Sequence, residues 1–195
     1  LENFTGMFRY SAITKTIDES DTSILSNITK VKMYKFITPT LNNGTKYTLS
    51  FNNAFFNPHS GHNSAAGGVV SSTGFKIFGD DTNEHFLDDD GAGNIRVYYL
   101  SGTTRIYTDS TYGTIDYTNG EIILTSANIT SISNIDGAAS ARVRVTVSPD
   151  SNDIVPVRNQ VLSIDTANSN VSGGIDEIES GSSQAGTGYT TTSSY

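Results

Sequence analysis

Apolar side chains recur at every second position in four stretches of the chain, the period of a strand with one buried face. Ala141-Arg-Val-Arg-Val-Thr-Val147 is the plainest: its valines point one way, and Arg142, Arg144 and Thr146 the other. Lys46-Tyr-Thr-Leu-Ser-Phe51 alternates through Tyr47, Leu49 and Phe51. Asn94-Ile-Arg-Val-Tyr-Tyr-Leu100 is followed, across a Ser-Gly-Thr-Thr turn, by Arg105-Ile-Tyr107. The fourth stretch, Thr114 to Thr125, contains Asn119-Gly120, which suits a two-residue type I′ turn because both central positions need positive φ. That turn would set Tyr117 opposite Ile122 and Ile115 opposite Leu124, all four on one face.

Weaker signals complete the chain. Val161-Leu-Ser-Ile164 reads as a last short strand, and Pro149 and Pro156 make the stretch between them an edge or a loop. Ile13 to Leu25 has Ile13, Ile17, Ile24 and Leu25 at roughly helical spacing, and a strand from Lys30 to Ile37 follows, closed by Thr38-Pro39. Asn52 to Ser72 reads as a long loop, of the kind that carries function or an assembly contact. The expected fold is mainly β: an antiparallel β-sandwich-like domain over 40–171, after a small mixed α/β segment over 1–39. A Gly/Ser/Thr-rich tail over 172–195 cannot bury a core alone and is flexible or ordered by a partner.

Charge excludes some functions. The net charge is −8, and nine of the 20 acids fall in two stretches without a cation: six in Asp80 to Asp90, and Asp176, Glu177 and Glu179. The rest is nearly neutral, so no basic stripe for nucleic acid exists. The absence of cysteine removes disulfides and thiolate metal sites. No apolar run approaches the roughly 18 residues that span a membrane. The opening residues, Leu-Glu-Asn-Phe-Thr, are no signal peptide, and the chain reads as a piece of something longer.

Three constellations bear on chemistry. Asp88-Asp-Asp-Gly-Ala-Gly-Asn-Ile95 offers Asp88 and Asp90 as calcium ligands, but Ala92 and Tyr99 stand where two further oxygen ligands are needed. A polar hairpin turn is the favoured reading, with a weak cation site at Asp88 and Asp90 as the alternative. His59 and His62 are three apart in a turn, and zinc usually needs three or four ligands. Nucleophile-elbow, phosphate-loop and His-Glu-x-x-His motifs are absent. No catalytic, cofactor-binding or metal residue is therefore assigned, no cofactor is implied, and the chain is read as no enzyme. Ten tyrosines and nine phenylalanines leave open a carbohydrate- or receptor-binding β-sandwich of a tail fibre or adhesin as the alternative.

Several segments in combination resemble one family. They are Asn57-Pro-His-Ser-Gly-His62, Ser72-Thr-Gly-Phe-Lys76, Phe86-Leu-Asp-Asp-Asp-Gly91, Gly113-Thr-Ile-Asp-Tyr-Thr-Asn-Gly120, Ser151-Asn-Asp-Ile-Val-Pro-Val-Arg-Asn-Gln160 and Gly186-Thr-Gly-Tyr-Thr-Thr-Thr-Ser-Ser-Tyr195. From Thr38 onward the chain is similar to the C-terminal region of the baseplate wedge protein of T-even-type contractile-tailed phages, especially those infecting marine cyanobacteria. Leu1 to Pro39, with Ser26-Asn-Ile-Thr-Lys30, resembles the end of the preceding baseplate-J-like domain. The resemblance implies a structural, non-enzymatic role that joins neighbouring wedges. It implies pairing with a second copy as a homodimer and contact with other baseplate wedge proteins. It implies no nucleic acid, membrane or small-molecule partner, and a place in the virion tail baseplate after assembly in the host cytoplasm.

Overall fold

The computed structural model describes residues 6–62, 68–157 and 162–174. They form one helix, α1 (Tyr10–Asp18), and nine strands. The strands are β1 (Met33–Ile37), β2 (Gly44–Ser50), β3 (Val70–Ser72), β4 (Phe75–Ile77) and β5 (Asp80–Asp89), then β6 (Asn94–Ser101), β7 (Thr104–Asp116), β8 (Glu121–Ile132) and β9 (Val143–Val147). The fold is mainly antiparallel β, in two sheets, after a small N-terminal α/β segment. The chain divides into two compact units, Leu1–Leu162 and Ser163–Tyr195.

The smaller sheet has the order β1-β9-β3. Its centre is β9, where Val143, Val145 and Val147 are buried while Arg144 and Thr146 face outward, as the alternation requires. Each such valine contributes about 1.5–3 kcal/mol by leaving water. β1, which precedes position 39, is hydrogen-bonded to β9 from the far end of the domain, Met33 opposite Val147.

The larger sheet has the order β2-β8-β4-β5-β6-β7, and β7 also pairs with β8. Pairing therefore runs in a closed circuit of five strands, every step antiparallel. Five straight strands cannot close that way, because four reversals leave the fifth strand parallel to the first. Some strand must bend, and bulges do this. In β7, three residues (110–112) oppose Arg96 alone, between the pairs Ile95–Gly113 and Val97–Asp109. In β8, Thr125 and Ser126 oppose Lys46 alone. The buried phase of β8 accordingly shifts by one, from Ile122 and Leu124 to Ala127 and Ile129.

Several expectations change in detail. The helix covers Tyr10–Asp18 rather than Ile13 to Leu25, buries no residue, and leaves Leu25 86% exposed. Thr and Ser are frequent there, and Asp21 turns the chain by accepting the Ser23 amide at 2.8 Å. The first strand begins at Met33, not Lys30. The acids of Asp80 to Asp90 lie mostly in a ten-residue strand rather than in a turn. Leu162 to Ile164 is not a strand, and Val161 lies outside the described residues. In the second unit, residues 163–174 carry no helix or strand; Asp165 accepts the Asn168 amide at 3.2 Å and its Nδ2 at 2.6 Å. The expected tail, 172–195, lies outside the described residues beyond Gly174.

The β7–β8 hairpin keeps its expected face but not its register. Asp116 faces Glu121 and Ile115 faces Ile122, so the loop is four residues long, 117–120. Asn119 does not take positive φ; Gly120 does, at +66°. The reason is Asp116, whose Oδ1 accepts the amides of Thr118 (3.0 Å) and Asn119 (2.9 Å). That side-chain turn outcompetes the two-residue one. A shift of two residues preserves strand parity, so Ile115, Ile122 and Leu124 remain buried together.

Gly120 also touches the chain beneath it. A Cβ there would lie 2.0 Å from the Asn53 carbonyl oxygen. Gly120→Val should therefore lower the unfolding free energy by about 3 kcal/mol, from the wrong φ and from overpacking together. Asn119→Ala should cost clearly less, because its side chain reaches only the exposed Asp116. Urea unfolding of the two variants measures the difference; equal losses would mean the loop is not held through Gly120.

Candidate functional site

Two consecutive carboxylates end β5, and strand alternation sends them to opposite faces. Both are buried, Asp88 at 1% exposure and Asp89 at 0%. Buried acids survive only when their oxygens are satisfied, and these two solve the problem differently.

Asp89 points inward and is held by neutral donors. Its Oδ1 accepts the amides of Val69 (2.6 Å) and Val70 (2.9 Å). Its Oδ2 accepts the Tyr117 hydroxyl at 2.7 Å and the Gly91 amide at 3.3 Å. One side chain thus ties β5 to the start of β3 in the other sheet and to the β7–β8 loop. Burial, reinforced by the hydrogen bond to Asp89, raises the Tyr117 phenol far above its ordinary range. A Cβ on Gly68, where φ is +70°, would lie 1.9 Å from Asp89 Oδ1, so the anchor fits only glycine there.

Asp88 points outward, beneath a roof of arginine and tyrosine. Arg96 Nε donates to Oδ1 at 2.9 Å, while Arg105 Nη1 (2.8 Å) and the Tyr107 hydroxyl (2.9 Å) donate to Oδ2. Arg96 Nη2 also donates to the Asp89 carbonyl at 2.8 Å. Each guanidinium then covers a ring: Arg96 lies 4.3 Å from the Tyr107 centroid, and Arg105 lies 4.6 Å from that of Tyr98. Phe86 and Tyr98 stack at 5.8 Å, and Leu100, half exposed, lies further along the same face of β6. Burial raises the Tyr98 and Tyr107 phenols above their ordinary value, and the bond to Asp88 adds to the shift at Tyr107. The result is a rigid outward face on β5, β6 and β7. It carries two cations against one anion, in a chain of net charge −8.

The residues weighed from sequence are placed as follows. Asp88 is saturated by its arginines. Asp90 closes the β5–β6 turn, accepting the amides of Ala92 (2.8 Å) and Asn94 (2.9 Å) and Asn94 Nδ2 (2.6 Å). Burial pushes Asp90 up, but the bonds from Asn94 and Ala92 and the charge of Arg96 outweigh it and hold its carboxyl below the usual range. All three aspartates accept hydrogen bonds from the protein itself. His59 and His62 meet in an exposed turn, Nε2 to Nδ1, at 3.0 Å. His85 is fully buried beside Phe75 and Tyr99; its Nε2 is 3.5 Å from Asp80 Oδ2, and neither ring nitrogen makes a hydrogen bond. Arg142 and Arg144 lie over Phe36 (4.1 Å) and Tyr34 (5.9 Å) on the outer face of the smaller sheet. Sequence reasoning missed the Asp88 clamp. A usable signal existed: a three-residue turn over 91–93, closed by the Asp90 amide on the Asn94 carbonyl at 3.1 Å, places Asp88 directly opposite Arg96.

A family described as "Baseplate structural protein gp6, C-terminal domain III" matches residues 1–36. Over that stretch, which contains α1 and most of β1, the chain is similar to a baseplate structural protein. No curated protein and no solved structure matches the chain.

Two measurements check these placements. Asp89→Ala strands four donors, the amides of Val69, Val70 and Gly91 and the Tyr117 hydroxyl, and should cost about 4 kcal/mol by urea unfolding, since each costs about 1–3 kcal/mol unless water replaces the carboxylate. An unchanged midpoint would remove Asp89 as the anchor. His85 sets a pH dependence. Burial lowers its pKa below the ordinary 6.5, with Asp80 and the Asn83 backbone only partly opposing. As pH falls through 6.5 the unfolded chain takes up a proton that the folded chain refuses, so stability falls until the folded value is reached. The melting temperature should hold from pH 8 to 7 and decline below about 6.5. His85→Gln should lose that decline; a variant with the same slope would place the titration elsewhere.

Proposed function

We propose that the chain is a non-catalytic structural component of a phage tail baseplate wedge, acting by protein–protein association. The observation that carries this reading is the match of residues 1–36 to a baseplate structural protein domain. The resemblance of the later segments, from Asn57-Pro58 to the tyrosine-bearing tail, extends it along the chain. On this reading the module joins neighbouring wedge subunits, pairs with a second copy, and resides in the virion tail after assembly in the host cytoplasm. The division into 1–39, 40–171 and 172–195 belongs to the same proposal.

The contact we assign to this role is the arginine and tyrosine face over Asp88. Interfaces concentrate their energy in tyrosine and arginine held rigid before binding. Tyr107 and Arg105 meet that description, because the buried carboxylate and the cation–ring contacts fix them in the free chain, with Tyr98 buried beneath as their support. A carbohydrate-binding module would instead need open ring faces for stacking, and Tyr98 and Tyr107 each have one covered by a guanidinium.

Sedimentation velocity over micromolar to millimolar concentration tests both parts. The parent chain should move from monomer toward dimer. Tyr107→Ala with Leu100→Asp should stay monomeric while keeping the far-ultraviolet spectrum of the parent. A parent chain that remains monomeric at millimolar concentration and binds a defined glycan would replace the structural reading with the adhesin one.

A further inference from the structure

The sequence holds two Asn-Gly pairs, Asn43-Gly44 and Asn119-Gly120, and the fold treats them oppositely. In such a pair the glycine nitrogen can attack the asparagine side-chain amide, because no Cβ obstructs its approach. The attack needs a side chain free to rotate and a glycine whose nitrogen is unbonded and able to move. The loop at Asn119 opposes it on both counts. Asn119 Nδ2 donates to Asp116 Oδ2 at 2.6 Å, and the Asn119 backbone amide to Asp116 Oδ1 at 2.9 Å. Gly120 is buried, its carbonyl accepts the Phe51 amide at 2.8 Å, and it packs so closely on Asn53 that no Cβ would fit.

Asn43 and Gly44 are both exposed, at the turn that enters β2. Among the described residues no partner holds the Asn43 side chain; only its backbone carbonyl is engaged, by Thr45 Oγ1 at 3.3 Å. The ladder frees the Gly44 nitrogen as well. In an antiparallel sheet the N–H and C=O of one residue point to the same side. On β8 the Asn128 carbonyl accepts the Phe78 amide at 3.0 Å, beside β4, while the Ile129 carbonyl accepts the Asn42 amide at 2.8 Å, beside β2. Gly44 stands opposite Asn128, so theirs is a non-hydrogen-bonded pair, and the Gly44 N–H turns away from β8. β2 is the outer strand of its sheet, so that N–H meets an open edge. We propose that Asn43 is a site of spontaneous deamidation, and that the fold protects Asn119 from the same reaction. The Gly44 nitrogen bonds to Asn43 Cγ, the Cγ–Nδ2 bond breaks, and ammonia leaves with the Gly44 amide proton. Water then opens the cyclic imide at either carbonyl, leaving aspartate or isoaspartate at position 43. Either product adds a negative charge at the entry to β2, and isoaspartate also lengthens the main chain there by one atom.

The test is peptide mass spectrometry of the whole chain, sampled during incubation in mildly alkaline buffer, with a parallel incubation in urea. In the folded chain the Asn43 peptide should convert at least about tenfold faster than the Asn119 peptide, because Asn119 must first break a hydrogen bond to a charged carboxylate. In urea the two rates should converge, which assigns the difference to the fold and not to the neighbouring sequence. Gly44→Ala should slow conversion at Asn43 and leave Asn119 unchanged, with circular dichroism checking that the fold is kept. The proposal is overturned if Asn119 converts as fast as Asn43 in the folded chain, or if Asn43 stays intact there while it converts in urea.

Discussion

The carboxylate of Asp89 is the point on which the two sheets are joined. It sits at the end of a strand of the larger sheet and receives the amides of Val69 and Val70, which open an edge strand of the smaller one. The Tyr117 hydroxyl brings in the β7–β8 loop at the same atoms. A buried carboxylate is costly unless its oxygens are satisfied, and four neutral donors satisfy them here. The cost has a use. Apolar packing between the sheets is non-directional, and valines can slide against leucines at little expense. A carboxylate with fixed donors cannot slide, so the sheets meet in one alignment.

Asp88 extends the same logic to the other face of the strand. Because β alternation sends adjacent side chains apart, anchoring Asp89 inward fixes Asp88 outward. There it gathers Arg96 and Arg105 from two neighbouring strands, and the arginines in turn hold Tyr98 and Tyr107. The face we propose for association is therefore prepared by residues of the scaffold itself, without a loop that must order on binding. Little side-chain entropy remains to be lost when such a face meets a partner. The bulge of β7 at 110–112 contributes too, because it bends the strand around Arg96.

Much of this was legible in the sequence, for a physical reason. Burial of one strand face is a local, periodic property, so the valines of β9 and the apolar positions of β2, β6 and β8 could be read directly. Hairpin register was less legible: Asn119-Gly120 favours one turn, but Asp116 stabilises another by accepting two loop amides, and only the three-dimensional balance decides. The acidic run misled most. Consecutive aspartates resemble a solvated turn or a cation loop, and whether they are buried depends on donors far away in sequence, Val69, Arg105, Tyr107 and Tyr117. The helix expected over Ile13 to Leu25 forms over Tyr10–Asp18 instead, and no partner face among the described residues buries it.

The central claim is that the face over Asp88 is where the chain meets its neighbours. Hydrogen exchange read peptide by peptide tests it most directly, comparing the dilute chain with the same chain concentrated into its associated form. Added protection should fall on residues 96–107, in β6 and β7, and leave the exposed faces of β1 and β9 unchanged. Protection gained elsewhere, with 96–107 exchanging as in the dilute chain, would contradict the account.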